Sequence, residues 1–311
     1  MLLSVVIPAY NESENIIGII RELYNSISTI PGFSRYQIIV VDDHSSDSLY
    51  KIVQSIDFVD NITCLRLSRR SGSHTAIRAG IKIATGDMVL CIAADGQDDP
   101  KVLSKMTEKI QSGCNIIWAV RKAREESFVY KMVTLTFYKL LRWASNTDAP
   151  QNIVSNADFF LFDKQIRDAV NACEERNTSL FGLLLWMGFN QDFVEYERRE
   201  RRGGKSKWNF RSRIRLAKDW IMAFSGLPLK IMSLMGITFA AVGFLYAVFI
   251  MAYSLLGYTT PGWAETIIII LILSGLQMTM LGIMGEYLWR NLDETRKRPL
   301  YFIEKRSNRN K

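Results

Sequence analysis

Nothing in this chain is spaced to hold a structural metal or a disulfide framework. Its four cysteines, Cys64, Cys91, Cys114 and Cys173, stand apart, with no CxxC pair and no Cys/His cluster. That excludes zinc-ribbon and disulfide-scaffold classes and points to a reducing compartment. The first residues, MLLSVVIPAYNE, lack a basic n-region and a cleavage site. They read as a strand, and no signal peptide is expected. Basic residues outnumber acidic ones by 8, but no aromatic platform or known RNA module accompanies them, so nucleic acid is not the expected partner.

What is present is a recurring pattern of apolar runs that end in acids. Residues 2–7 form a short apolar run stopped by Pro8. Residues 37–41 end in Asp42-Asp43-His44-Ser45-Ser46-Asp47, and residues 88–92 lead to Asp95, Asp98 and Asp99. A third β-branched run, 61–67, precedes basic Arg69-Arg70-Ser71-Gly72, and 115–120 is a further strand. Helical spacing falls between them, at 14–28, 74–84 and 100–112. This alternation argues a doubly wound, mainly parallel sheet. In such sheets ligands bind beyond the carboxyl ends of the strands. Carboxylates there suit either a solvated acidic loop or a hard cation with its phosphates; the repetition at successive strand ends favours the second.

These segments carry a resemblance. Val5-Val6-Ile7-Pro8-Ala9-Tyr10-Asn11-Glu12, then Val40-Val41-Asp42-Asp43-x-Ser45-x-Asp47, then Asp95-Gly96-Gln97-Asp98-Asp99-Pro100 resemble family 2 glycosyltransferases in motif and in order. Arg198-x-x-Arg201-x-x-Gly204-Lys205-Ser206-Lys207-Trp208 resembles a segment of that family's polyisoprenyl-phosphate branch, which includes dolichyl-phosphate mannose synthases and undecaprenyl-phosphate glucosyltransferases. The resemblance implies a GT-A fold, Rossmann-like, over residues 1–208. It implies a nucleotide-diphosphate sugar as donor and a polyisoprenyl phosphate as acceptor. UDP-glucose and undecaprenyl phosphate are favoured; GDP-mannose with a dolichyl or polyprenyl phosphate, and a non-catalytic binding subunit, are the alternatives. No QxxRW motif of processive synthases is present.

By the same resemblance, Pro8, Ala9, Tyr10, Glu12, Val41, Asp43, Ala94, Gln97, Arg121, Arg198 and Ser206 bind the nucleotide sugar. Asp95, Asp158, Arg201 and Lys207 carry the chemistry, and Asp95 holds a divalent cation, Mg²⁺ or Mn²⁺. The sequence departs from the pattern in having Ala93 where the family has its first acid; Asp98 is a candidate substitute. Phe160 stands where arginine is common in the family's acceptor segment.

Beyond the sheet, residues 128–145 have apolar positions at helical spacing, fitting either a core helix or one on a membrane surface. Residues 209–230 interleave Arg211, Arg213, Arg215 and Lys218 with Ile214, Trp220, Ile221 and Phe224, the pattern of an interfacial helix. Two uncharged stretches follow, giving spans 231–256 and 266–286 of a hairpin over 231–287, each long enough to cross a core of about 30 Å. A basic tail, 288–311, is expected last. Bases flank the hairpin and its turn has none, so the positive-inside rule puts the sheet and both termini in the cytoplasm. The expectation is a multi-pass bacterial inner-membrane enzyme, a homo-oligomer with a tetramer as a guess.

Overall fold

The computed structural model describes residues 1–30, 32–122, 159–199, 226–256 and 262–310. The expected helix at 128–145, residues 209–225 of the one expected at 209–230, and Asp158, Arg201, Ser206 and Lys207 lie outside them.

The strand that the sheet is built on is β1 (Leu2–Ala9). Leu3, Val5, Val6 and Ile7 alternate between its faces, yet all are buried. A strand so buried must be covered on both sides. It pairs in parallel with β2 (Arg35–Asp42) on one side and β4 (Met88–Cys91) on the other. β3 (Asn61–Leu67) extends the sheet beyond β2, also in parallel. The connections are α1 (Ile16–Thr29), α2 (Leu49–Ser55) and α3 (Ser73–Ile83). α4 (Leu103–Gln111) then leads to β5 (Ile116–Arg121). One core lies under α1, α2 and α4, where Ile16, Ile19, Ile20, Leu23 and Ile27 form the buried stripe of α1. The other lies under α3. There the fold needs glycine: a Cβ on Gly80 would come within 2.3 Å of the Val6 side chain.

The chain then departs from a simple doubly wound plan. β6 (Phe159–Asp163) inserts between β4 and β5, antiparallel to both. Phe160 is therefore a core residue, in a T-shaped contact with Phe181. α5 (Lys164–Ala172) and α6 (Leu180–Trp186) complete the second core, and β7 (Gln191–Tyr196) pairs in parallel with β5. The sheet is thus mixed, in the order β7-β5-β6-β4-β1-β2-β3-β8.

α7 (Leu227–Leu255) and α8 (Trp263–Thr295) follow. Among the described residues one stretch, Leu227–Tyr253, is long and apolar enough to cross a membrane. The expected two-span hairpin is therefore not confirmed. Its second span falls within α8, which runs on past residue 286 and ends in Asp293 and Glu294. These bind the Arg176 guanidinium at 3.1 Å and the Arg176 amide at 2.8 Å. Within the expected basic tail, residues 303–310 form a strand not expected from the sequence, β8 (Ile303–Asn310), at the sheet edge and antiparallel to β3. Its side chains are too polar to announce a strand, but an edge is joined through backbone hydrogen bonds and tolerates polar residues.

Candidate active site

β1 lies where the strand order reverses, with β2 on one side and β4 on the other, and the loops beyond these strands come together. The backbone joins them: the Asp43 amide donates to the Ala9 carbonyl (2.9 Å) and the Ile92 amide to that of Val6 (3.1 Å). Such a reversal leaves a crevice for a ligand.

On the β1–β2 side the acids hold the loops. Asp42 is fully buried and accepts from the Ser45 amide (2.7 Å) and from Arg66 (2.7 Å). Both oxygens of Asp43 accept backbone amides, from Ser71 (2.6 Å) and Gly72 (2.8 Å). Burial raises the Asp43 pKa above the ordinary carboxylate value; these two amides, and Arg70 nearby, work against that rise. Asp47 accepts from the Ser13 and Leu49 amides. Asn11, at φ 53°, donates its amide to the Ser45 hydroxyl and accepts from the Ser46 amide. The loop holding Tyr10 and Glu12 is thus fastened to the loop after β2. Arg70 lies over the Tyr10 ring, 4.1 Å from its centroid, so this aromatic face already carries a cation.

On the β4 side the acids face guanidinium groups. Asp95 Oδ2 lies 3.5 Å from Arg198, and its Oδ1 accepts the Gln97 amide at 3.2 Å. Arg199 binds Asp99 (2.8 Å) and Glu22 (2.7 Å). Its backbone pairs with Gln97: the Arg199 amide donates to the Gln97 carbonyl, and Gln97 Nε2 to the Arg199 carbonyl. The segment leaving β7 is thereby held along the loop after β4. Among the described residues, the buried Arg198 Nε has no hydrogen-bond acceptor. Arg121, at the end of β5, bonds the Tyr196 hydroxyl, and that hydroxyl donates to Asp98. Burial, then Asp98 itself, push the phenol pKa far up.

The expected site residues therefore divide. Pro8, Ala9, Tyr10, Glu12, Asp43, Asp95, Gln97 and Arg198 lie in or beside the converging loops. The Val41 and Ala94 side chains are buried in the two cores, 0% and 3% exposed, so only their backbone can face a ligand. Asp98, the candidate substitute ligand, is buried, with one carboxylate oxygen accepting from the Tyr196 hydroxyl. Arg66 and Arg70 are not among the expected site residues; the signal for Arg70 is the basic turn after β3.

Among the described residues no group of three or more His, Cys, Asp or Glu side chains could hold a metal ion. The carboxylate paired with Arg198 among the described residues is Asp95, with Asp99 held by Arg199. That fits an ion carried mainly by a ligand's phosphates, since Mg²⁺ keeps several waters and takes one or two carboxylates besides substrate oxygens. It does not fit an ion held by protein alone.

Comparison with known proteins gives the class. The sequence model of Glycosyl transferase family 2 matches residues 4–153. The chain is 35% identical over 308 residues to the uncharacterized glycosyltransferase YkcC of Bacillus subtilis (strain 168), covering 97% of this chain and 93% of that one. The chain belongs to glycosyl transferase family 2 and is a glycosyltransferase. More particularly, it is 32% identical over 310 residues to the prophage bactoprenol glucosyl transferase homolog of Escherichia coli (strain K12), with 98% and 99% of the two chains covered. Mannosyl-3-phosphoglycerate synthase from Rubrobacter xylanophilus is a structural neighbour at 18% identity, with a TM-score of 0.48 over 70% of this chain and 71% of that one.

Proposed function

We propose that the chain transfers a hexose, glucose from UDP-glucose, to the phosphate of a membrane polyisoprenyl lipid of the undecaprenyl type. The observation that carries this reading is the extent of the similarity to proteins named bactoprenol glucosyl transferases. It runs over 98% of this chain, so it takes in α7 and α8 as well as the sheet. An enzyme acting on a membrane-embedded anion needs a lipid-facing element, and α7 is long and apolar enough to serve as one. The proposed topology keeps the sheet on the cytoplasmic side, where the donor is, with the second hydrophobic stretch in α8 completing a hairpin.

The nucleotide lies over the β1–β2 loops, with Tyr10, Glu12 and their backbone neighbours around base and ribose. The diphosphate lies towards Asp95, Gln97 and Arg198. The acceptor phosphate is already anionic near neutral pH, so its oxygen attacks the anomeric carbon in line, with inversion, and no strong base is demanded. The demanding event is the charge that builds on the leaving diphosphate. Arg198 is placed to meet it; Arg121, Arg201, Ser206 and Lys207 are assigned to the same anions, and Asp158 to orienting the acceptor. A divalent ion bound with the diphosphate would be held by Asp95 and would add charge neutralisation.

The test is to offer the purified protein polyprenyl phosphate with a panel of nucleotide sugars and weigh the lipid product by mass spectrometry. A hexosyl phosphoryl lipid formed from UDP-glucose is expected. Product from GDP-mannose alone would move the assignment to a mannose synthase, and no product from any donor would overturn it.

A further inference from the structure

We infer that the C-terminal edge strand β8 is part of the donor site, and that Glu304 is a positioning residue acting on the nucleotide pocket through Arg66. The inference rests on the proposed donor chemistry, and it begins from how one guanidinium is used. Arg66, on β3, donates its Nε to Glu304 (3.0 Å), one terminal nitrogen to Asp42 (2.7 Å) and the other to the Ser45 carbonyl (2.9 Å). A planar fork engaged in three directions is held in place, because any rotation breaks at least two bonds.

The contacts continue into the pocket. Asp42 accepts the Ser45 amide, and the Ser45 hydroxyl accepts the amide of Asn11. Asn11 is a non-glycine residue at positive φ, a conformation that persists where its surroundings fix it. It stands between Tyr10 and Glu12 in the loop that would hold base and ribose. A continuous path of hydrogen bonds therefore joins β8 to that loop, crossing β3 and β2. Glu304 also lies 3.6 Å from His44, itself at positive φ in the loop after β2.

β8 is well placed to transmit. It begins eight residues after α8 ends, and α8 is fixed to the loop before α6 through Asp293, Glu294, Arg176 and Asn177. α8 and the nucleotide loops are thus parts of one bonded structure. Replacing the Glu304 carboxylate with a neutral amide takes the charge out of the Arg66 Nε bond and loosens the loop around Asn11. The loss falls on nucleotide binding, because the path ends at the base and ribose side and touches none of the reacting atoms.

The experiment uses the full chain in detergent and measures UDP binding by calorimetry, with GDP in parallel, for the unaltered protein, Glu304→Gln and Asn308→Ala. Asn308 is the control: on the same strand, it accepts from the Thr63 hydroxyl at 3.0 Å and has no link to Arg66. Glu304→Gln is expected to weaken UDP binding about fivefold, the scale of indirect coupling, and to raise the donor KM alike with kcat within about twofold. Asn308→Ala is expected to leave UDP binding unchanged. Equal binding in the two variants would overturn the inference, as would a loss in kcat with unchanged KM. If Glu304→Gln detaches β8, seen as a lower melting temperature than that of Asn308→Ala, Arg66→Lys makes the same test from within the sheet. It should weaken UDP binding more than fivefold, and unchanged binding there would also overturn the inference. UDP and GDP both failing to bind the unaltered protein would instead refute the donor reading on which this one stands.

Discussion

The two halves of the candidate site engage their acids to different degrees, the first mainly with backbone amides and the second mainly with arginine side chains. Beyond β1 and β2, Asp42, Asp43 and Asp47 accept backbone amides, and Asp42 takes Arg66 as well. Beyond β4, Asp95 and Asp99 each accept one nearby amide, from Gln97 and Lys101, and otherwise face Arg198 and Arg199. An acid bound to backbone amides is part of the frame: replacing it with a ligand would undo a loop. An acid paired with an arginine side chain at the surface is held less firmly, since such pairs are worth little in water and can re-form around another anion. The difference gives the first half the work of shape and the second the work of charge. A nucleotide diphosphate needs both, a flat base and ribose to be fitted and phosphates to be neutralised.

The sharpest way to break this division is at Asp95. Asp95→Asn is expected to lower transfer to polyprenyl phosphate by about a hundredfold or more, the scale of losing one preorganised electrostatic group. Its melting temperature should stay close to that of the unaltered protein, because the Asp95 side chain is partly exposed and bonds only the nearby Gln97 amide besides Arg198. Steady-state rates and melting curves on the same preparations decide it. A stable variant with undiminished turnover would remove Asp95 from the chemistry. Arg198→Ala should follow, at about tenfold to a hundredfold in kcat/KM for the donor, since one guanidinium hydrogen-bonded to an anion is worth about 1.5–3 kcal/mol. Unchanged kcat/KM would mean that the ion pair only closes the empty site.

Much of this division could not be read in the sequence. The positions of β1, β3 and β4 follow from their apolar runs, and the acids at the strand ends follow from where those runs stop. What each acid binds does not. The partners of Asp43 are the amides of Ser71 and Gly72, 28 and 29 positions on, and only the β2–β3 pairing brings them together. Asp98 and Asp99 are neighbours in the chain, yet one turns inward to Tyr196 and the other out to Arg199. β6 was hidden for another reason. FFLFD is a continuous apolar run, buried on both faces, with no alternation to mark its direction. β8 was hidden because IEKRSNRN has almost no apolar face at all.

Asp43 carries the smallest expected effect and the finest test, because its role divides from that of Asp95 by observable, not by residue type. In Asp43→Asn one amide acceptor survives and the other becomes a donor facing a backbone N–H. The expected cost is about 1–3 kcal/mol of stability, as for a buried hydrogen-bonding group left unsatisfied. The pH dependence has a definite sign. Burial raises the folded pKa of Asp43 above its unfolded value. Between those two values the folded protein keeps a proton that the unfolded chain has released. The stabilisation is therefore fully present below the unfolded carboxylate value and is lost as pH rises through the raised one. Asparagine does not titrate, so the gap in melting temperature between the two proteins should be widest near about pH 4 and should narrow towards about pH 7. Melting curves at both pH values measure it, alongside turnover at the higher one. A gap that widens with pH would mean that the amides outweigh burial and hold the carboxylate ionised. A hundredfold loss of turnover with an unchanged melting temperature would place Asp43 among the groups that bind ligand, and the two halves of the site would no longer differ in this way.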